Sequence, residues 1–279
     1  MTRADAPTEP RTLAPPERRI AQVSGVERLG AYDLITAIDG SGPAPRPGQF
    51  YMLATEKRWG GGADERPYLP RAFSYARARR TTEALELDFL LEAVGPGTER
   101  LAALEPGEGL ALVGPLGLGF HPPPPGASSI LVGGGIGVAP LLCLSDERID
   151  QWSVLLGFRT AAHAQAAALF TDPAELATDD GSVGRRALVT DLLRERLAGD
   201  ARAAVFACGP PAMLEAVRAL CAEQETPAQL ALESGMACGF GACFGCVVPT
   251  RAGYIRLCVD GPVLDADQLD TVLFPGAGH

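Results

Sequence analysis

Four cysteines near the C-terminus constrain this chain more than any other feature. They stand in the run Cys238-Gly-Phe-Gly-Ala-Cys243-Phe-Gly-Cys246, and Cys258 follows after eleven residues, so the spacing is C-x4-C-x2-C-x11-C. Three thiols leave one tight loop, and the fourth returns from a following strand. Gly235, Gly239, Gly241 and Gly245 interleave with them. Glycine lets a backbone wrap closely around an object. Successive N–H groups can then point inward at anionic sulfurs.

Such a loop suits a metal centre. Four thiolates that begin with C-x4-C-x2-C are the plant-type arrangement for a [2Fe–2S] cluster. Zinc also takes four cysteines, but its usual sign is two separated C-x2-C pairs. Here three ligands crowd into nine positions. A disulfide framework is a poorer fit. Cys238, Cys243, Cys246 and Cys258 are therefore the expected cluster ligands, and a chain that carries such a cluster moves electrons one at a time.

The chain has 279 residues, 47% of them apolar, which is enough for two domains and a small module. Its 33 glycines and 24 prolines predict many turns. A net charge of −10 argues against nucleic acid as a partner, because phosphate backbones need a basic face. Residues 1–17 are polar and rich in Pro, Ala and Arg, and read as a disordered tail without a secretory signal. The longest apolar run, Ile130–Leu144, is broken by glycines and too short to span a bilayer. Seven cysteines fit a reducing cytosol, so the expected location is cytoplasmic. Cys143 and Cys221 read as inert core thiols.

Three segments follow. Residues 18–121 read as short strands between turns at Pro47-Gly48, Gly60-Gly61-Gly62 and Pro106-Gly107. Ala84–Glu92 alternates in part, as a half-buried strand does. This pattern suits a closed antiparallel β-barrel. Pro122–Pro125 form a stiff connector. Residues 126–224 alternate between strand and helix, which predicts a Rossmann-like parallel α/β domain. Its expected strands are Ser129–Val132, Trp152–Leu156, Ala167–Phe170 and Ala203–Ala207. Thr190 is the expected N-cap of one helix, and Pro210-Pro211 opens another. Residues 225–279 hold the cysteine loop in a module too small for much core, so the metal should supply its folding energy. The expected fold class is thus β plus α/β with a small C-terminal cluster module.

Four further motifs carry chemistry. In Arg71-Ala72-Phe73-Ser74, Arg71 can grip a pyrophosphate and Ser74 can hydrogen-bond a flavin ring; a surface arginine is the bland alternative. In Gly95-Pro96-Gly97-Thr98, loop amides and a hydroxyl can bind phosphate, or simply cap a helix. Gly133-Gly134-Gly135-Ile136-Gly137 follows a strand and precedes an apolar helix, where a dinucleotide phosphate can approach the backbone. Cys208-Gly209-Pro210 ends another strand, where it can flank a nicotinamide ring or form a plain tight turn.

Together these residues resemble the ferredoxin–NADP reductase superfamily. The four-cysteine block with Cys258-Val-Asp260-Gly261-Pro262-Val263 is similar to the electron-transfer subunits of NAD-linked, two-component bacterial dihydroorotate dehydrogenases. The resemblance implies an FAD site at Arg71, Ala72, Phe73 and Ser74, at the backbone of Leu90, Leu91 and Glu92, and at Gly97 and Thr98. It implies NAD at the Gly133–Gly137 turn and at Cys208, Gly209 and Pro210. It also implies an FMN-containing dihydroorotate dehydrogenase catalytic subunit as partner, in a 2:2 heterotetramer. No orotate site or general acid is identifiable here, so substrate oxidation falls to that partner. Ala72 stands where the family usually has Pro. Glu92 is expected to point away, because a carboxylate facing a pyrophosphate is unfavourable. Arg159 lies where a ribose or 2′-phosphate can bind, which leaves NAD against NADP open. A rival resemblance is to the small subunit of an NADH-dependent ferredoxin:NADPH oxidoreductase or a sulfide dehydrogenase. Its first cluster ligand is often Asp, whereas this chain has Cys238. A zinc-stabilised binding module on a flavin fold without activity is a third reading.

Overall fold

The computed structural model describes residues 17–60, 69–82, 84–147, 152–200 and 202–278. The expected N-terminal tail, up to residue 16, and most of the Gly60–Gly62 turn lie outside the described residues.

The first sheet has seven antiparallel strands: β1 (Arg19–Leu29), β2 (Tyr32–Asp39), β3 (Phe50–Thr55), β4 (Arg71–Ser74), β5 (Arg77–Arg80), β6 (Leu85–Leu91) and β7 (Gly109–Leu116). Helix α1 (Pro96–Ala102) sits between the last two. The spatial order is β4-β3-β7-β1-β2-β6-β5. Strands β4 and β5 are opposite edges, yet only Tyr75 and Ala76 separate them, and both are buried. The sheet must therefore curl until its edges meet, although no ladder joins them. Gly30 opens the two-residue turn from β1 to β2 at φ +61°, where a side chain would strike the Ala162 carbonyl. Strand β6 departs from the half-buried expectation. Leu87, Phe89 and Leu91 fill the barrel, while Leu90 packs on the next domain, so both faces are covered.

The second sheet runs β11-β10-β9-β8-β12-β13, with the late strand β16 (Val263–Asp265) at its edge. Its strands are β8 (Ser128–Gly134), β9 (Ser153–Phe158), β10 (Ala174–Thr178), β11 (Arg185–Arg186), β12 (Ala203–Cys208) and β13 (Ala228–Ala231), all parallel. Helix α2 (Val138–Asp146) covers one face, and α4 (Val189–Ala198) and α5 (Pro211–Glu223) cover the other; α3 (Ala161–Ala164) is a single turn after β9. Strand side chains alternate between these layers. Leu131 and Phe206 meet α2, while Val132 and Val205 meet the opposite helices. The chain leaves β8 toward β9 on one side and returns to β12 on the other. That switch point opens a crevice outside the strand ends.

Two expected elements are corrected. Ala167–Phe170 is not a strand: Gln165–Leu169 forms a 3-10 turn, and the third strand is β10. Three consecutive alanines have little β propensity. Thr190 is not an N-cap. Helix α4 starts at Val189 after Leu188, whose N–H donates to the Asp191 carboxylate at 3.1 Å, so Thr190 lies buried in the first turn.

The last segment holds the hairpin β14 (Val247–Thr250) and β15 (Gly253–Arg256), the turn α6 (Leu257–Asp260) and β16 (Val263–Asp265). Strand β16 pairs antiparallel with β13 and extends the second sheet. Val248, Leu257, Leu264 and Leu269 belong to the same apolar cluster as Val132 and Val205. The module therefore shares the core of its neighbour, so the metal is not its only source of folding energy.

Candidate functional site

The cysteine loop has no regular structure between Ser234 and Gly245 apart from an isolated bridge from Ser234 to Ala277. Gly239 and Gly241 take φ +78° and +88°, and Phe244 takes φ 59° without being glycine. A methyl on Gly239 would lie 2.5 Å from Met52 of the barrel, and one on Gly241 would lie 2.6 Å from Val259. The loop is thus pressed onto both neighbours. Cys246 and Cys258 are buried, Cys238 is half-buried and Cys243 is exposed. Cys238 interacts with Cys243, and Cys258 with both Cys246 and Cys238. Among the described residues, no three potential ligands converge on a single ion.

Burial disfavours the Cys238 thiolate, but backbone donors at Cys243, Phe240 and Ala242 and the Cys243 thiol outweigh it. They bring the group down to about 7. Gly245 N–H donates to Cys243 Sγ, and Cys258 N–H to Cys246 Sγ, each at 3.4 Å. Burial and the neighbouring Cys246 push Cys258 up to about 12. Four thiols on one loop and the turn after it, with amides turned toward sulfur, are the donor set that a [2Fe–2S] cluster takes.

A cavity of about 410 Å³ lies between the barrel and the second domain. Arg71, Ala72, Phe73 and Ser74 of β4 line it, with Leu90 and Glu92 from the end of β6, Thr98 of α1, and Cys208. The Arg71 guanidinium lies 5.9 Å over Trp59 and donates to the Leu69 carbonyl at 2.6 Å. Gly97 does not line the cavity. Its role is space, since a methyl there would lie 2.9 Å from Arg71 Nε. Leu91 is fully buried in the barrel core and does not line the cavity either. The Thr98 hydroxyl accepts from the N–H groups of Val94 and Gly95 and donates to the Gly95 carbonyl, so it ties down the start of α1.

A second cavity, about 540 Å³, opens at the switch point. Gly134, Gly135, Gly137, Gly209 and Pro210 line it. Gly133 lies behind them, packed against Leu156, Val138 and Leu141. A methyl on Gly137 would sit 2.6 Å from the backbone of Cys208 and Gly209, so the two turns touch through that position. Cys208 faces the first cavity while the next two residues face the second. Burial, with help from the Glu233 charge, holds its thiol well above the ordinary range, hence neutral.

The cavities meet at Glu92, Ile136 and Glu233. The Glu92 side chain is turned to a cation. Its carboxylate accepts from Arg159 at 2.6 Å, with His163 Nε2 at 3.4 Å, and the guanidinium neutralises it. Glu233 was not singled out from the sequence. It follows β13, and its place beyond the C-terminal end of a parallel strand was the available signal. Its side chain is open to the cavities but crowded by protein, which raises its carboxyl pKa by desolvation. Tyr32, His163 and Met236 were also missed, because nothing local marks them.

This is the two-domain architecture of the ferredoxin–NADP reductases, with a four-cysteine module appended. A solved NADH-dependent reduced ferredoxin–NADP oxidoreductase has the same fold, with a TM-score of 0.73 and 23% identity over 91% of this chain and 90% of that one. A ferredoxin–NADP+ reductase from Neisseria gonorrhoeae, solved with FAD and NADP, gives a TM-score of 0.57 and 18% identity over 74% of this chain and 91% of that one. Residues 233–270 match the family described as the iron–sulfur cluster binding domain of dihydroorotate dehydrogenase B. The dihydroorotate dehydrogenase B (NAD(+)) electron transfer subunit of Clostridium acetobutylicum is 34% identical over 80% of this chain and 86% of its own length. That of Caldanaerobacter subterraneus is 31% identical over 89% and 97%. The chain belongs to the family of dihydroorotate dehydrogenase B (NAD(+)) electron transfer subunits. An electron-transfer subunit works with a catalytic partner subunit. Among the described residues, no helix is long and apolar enough to cross a membrane.

Proposed function

We propose that the chain carries electrons between a partner flavin subunit, which oxidises dihydroorotate to orotate in pyrimidine biosynthesis, and NAD, through a [2Fe–2S] cluster and FAD. The observation that carries this reading is continuity. The two cavities share Ile136 and Glu233, and Met236 of the first cavity stands two residues before Cys238. FAD, when bound, supplies the exchange between paired electrons at NAD and single electrons at the cluster.

Residues 18–121 hold FAD, residues 126–224 hold NAD, and residues 225–279 hold the cluster. Arg71, supported by Gly97 and Trp59, meets the FAD diphosphate. Ala72, Phe73 and Ser74 of β4, with the backbone of Leu90, Leu91 and Glu92, border the flavin. Thr98 orders the turn beside its phosphate. Gly134, Gly135 and Gly137 admit the NAD diphosphate, with Gly133 packed behind them. Cys208, Gly209 and Pro210 position the nicotinamide; the neutral Cys208 thiol needs no proton transfer. Cys238, Cys243, Cys246 and Cys258 hold the cluster.

The partner is an FMN-containing dihydroorotate dehydrogenase catalytic subunit in a 2:2 cytoplasmic heterotetramer. It docks at the cysteine loop, where Cys243 is exposed together with Phe240 and Phe244 of the same loop. Large apolar side chains beside an exposed ligand suit a buried protein contact. The rival reading, a ferredoxin:NADPH oxidoreductase or sulfide dehydrogenase small subunit, shares the fold. Cys238 at the first ligand position and the identity to the dihydroorotate dehydrogenase subunits favour the first reading. Cys243→Ser should remove cluster colour and transfer to the partner, while NADH oxidation by an artificial dye persists. Coupling to the partner at the native rate in that variant overturns the scheme.

A further inference from the structure

The residue Tyr32 is fully buried, and its hydroxyl has no hydrogen-bond partner. An unpaired buried hydroxyl normally destabilises a fold. Native proteins keep few such groups, and each calls for a reason. Tyr32 lies on β2 of the barrel, yet it lines the second cavity, in the other domain. Its ring meets His163 edge-on at 5.6 Å and 78°. A methyl built on Gly135 would lie 3.9 Å from the hydroxyl, so the oxygen faces the head of the glycine turn. The same cavity wall carries Arg159, whose guanidinium contacts Glu92 at 2.6 Å and His163 at 2.8 Å.

We propose that Tyr32 is a binding residue for the diphosphate of a nicotinamide dinucleotide: its hydroxyl donates to a phosphate oxygen seated at the Gly135 turn, beside Arg159. The inference rests on the second cavity being the dinucleotide site. Three features select an anion there. The turn Gly135–Gly137 leads directly into the nine-residue helix α2, whose N-terminal end carries the positive pole of the helix dipole. Arg159 brings a positive charge that a diphosphate can share with Glu92. The hydroxyl supplies a donor that nothing in the protein uses. The first cavity is excluded as the ligand's place, because Tyr32 does not line it. The consequence is that the barrel contributes directly to the nucleotide grip, so the two domains close on the ligand together.

Tyr32→Phe in the FAD-loaded subunit tests this, with ADP-ribose as the probe because it carries the diphosphate without the nicotinamide. Calorimetry should show ADP-ribose binding weakened about ten- to hundred-fold, as expected when a hydrogen bond to a charged group is lost. FAD content and the cluster spectrum should be unchanged. Without nucleotide, the variant should melt no lower than the parent, because it loses an unpaired hydroxyl. A purely structural tyrosine would give the opposite pattern, with a lower melting point and undiminished affinity, and that result overturns the proposal. Loss of FAD at native ADP-ribose affinity overturns it as well, by moving the hydroxyl to the other cofactor. Should the parent protein itself fail to bind ADP-ribose, the reading of the cavity falls first, and Tyr32 with it.

Discussion

Gly137 shows how much one hydrogen atom decides. Its backbone is ordinary, at φ −63° and ψ −2°, so a side chain would meet no conformational strain. Space is the constraint, because a methyl would press on Cys208 and Gly209 at 2.6 Å. Gly137→Ala should therefore part the two nucleotide turns, at an overpacking cost of about 1–3 kcal/mol. NAD affinity should drop about tenfold or more, while flavin and cluster absorbance stay as they are. Unchanged NAD titration would show that the turns need not touch. Glu92 gives the complementary lesson. Its charge is unfavourable for a site of phosphates when read alone, and harmless once Arg159 is seen against it.

At the level of elements, β16 ties the molecule together. Only three residues long, it is hydrogen-bonded to β13, and the segment before it reaches back to the barrel through Leu118 N–H and the Gly261 carbonyl. Leu264 is 5% exposed in the core shared with the nucleotide sheet. Leu264→Ala should cost about 2–5 kcal/mol. It should lower one common unfolding transition for flavin release and cluster bleaching. Two separate transitions in the parent would refute the shared core. Helices and strands with strong patterns were legible in the sequence: β8, β12 and the Pro210-Pro211 start of α5 lie where the residues suggested. The alanine run before Phe170 and the start of α4 were not. Weak propensities there yield to packing and to the Asp191 hydrogen bond.

On the scale of the whole molecule, residues 271–278 are clamped across α5 to the second cavity. Thr271 donates its hydroxyl and Val272 its N–H to Glu215 Oε2, at 3.0 and 2.7 Å. Gly278 then donates to the Glu233 carbonyl and borders the cavity. The Arg218 hydrogen bond, with Val272 and Thr271, holds the Glu215 carboxyl below its ordinary range. A carboxylate with a lowered folded value stabilises fully above its unfolded pKa, and that contribution is lost as pH falls through the folded value. Acidification below the ordinary carboxylate range should therefore release residues 271–278 first. Hydrogen exchange of Val272 against pH reads this directly. In Glu215→Gln that dependence should flatten, and an unaltered profile would exclude the clamp.

The sequence by itself determined the chemistry that local pattern can carry. Cysteine spacing, glycine turns after strands and a proline-led helix are contiguous in the chain, so each announces its loop without reference to distant residues. It also determined the family, through motifs that cover most of the length. Only the tertiary structure decided which of those loops meet. The join of Gly137 to Gly209 depends on β8 lying beside β12, while the pairing of Glu92 with Arg159, the burial of both faces of β6 and the turning of Tyr32 into a cavity of the other domain depend on the barrel docking against the second sheet. Such contacts arise between residues far apart in sequence, where burial and charge are properties of the assembled surface and of no single segment.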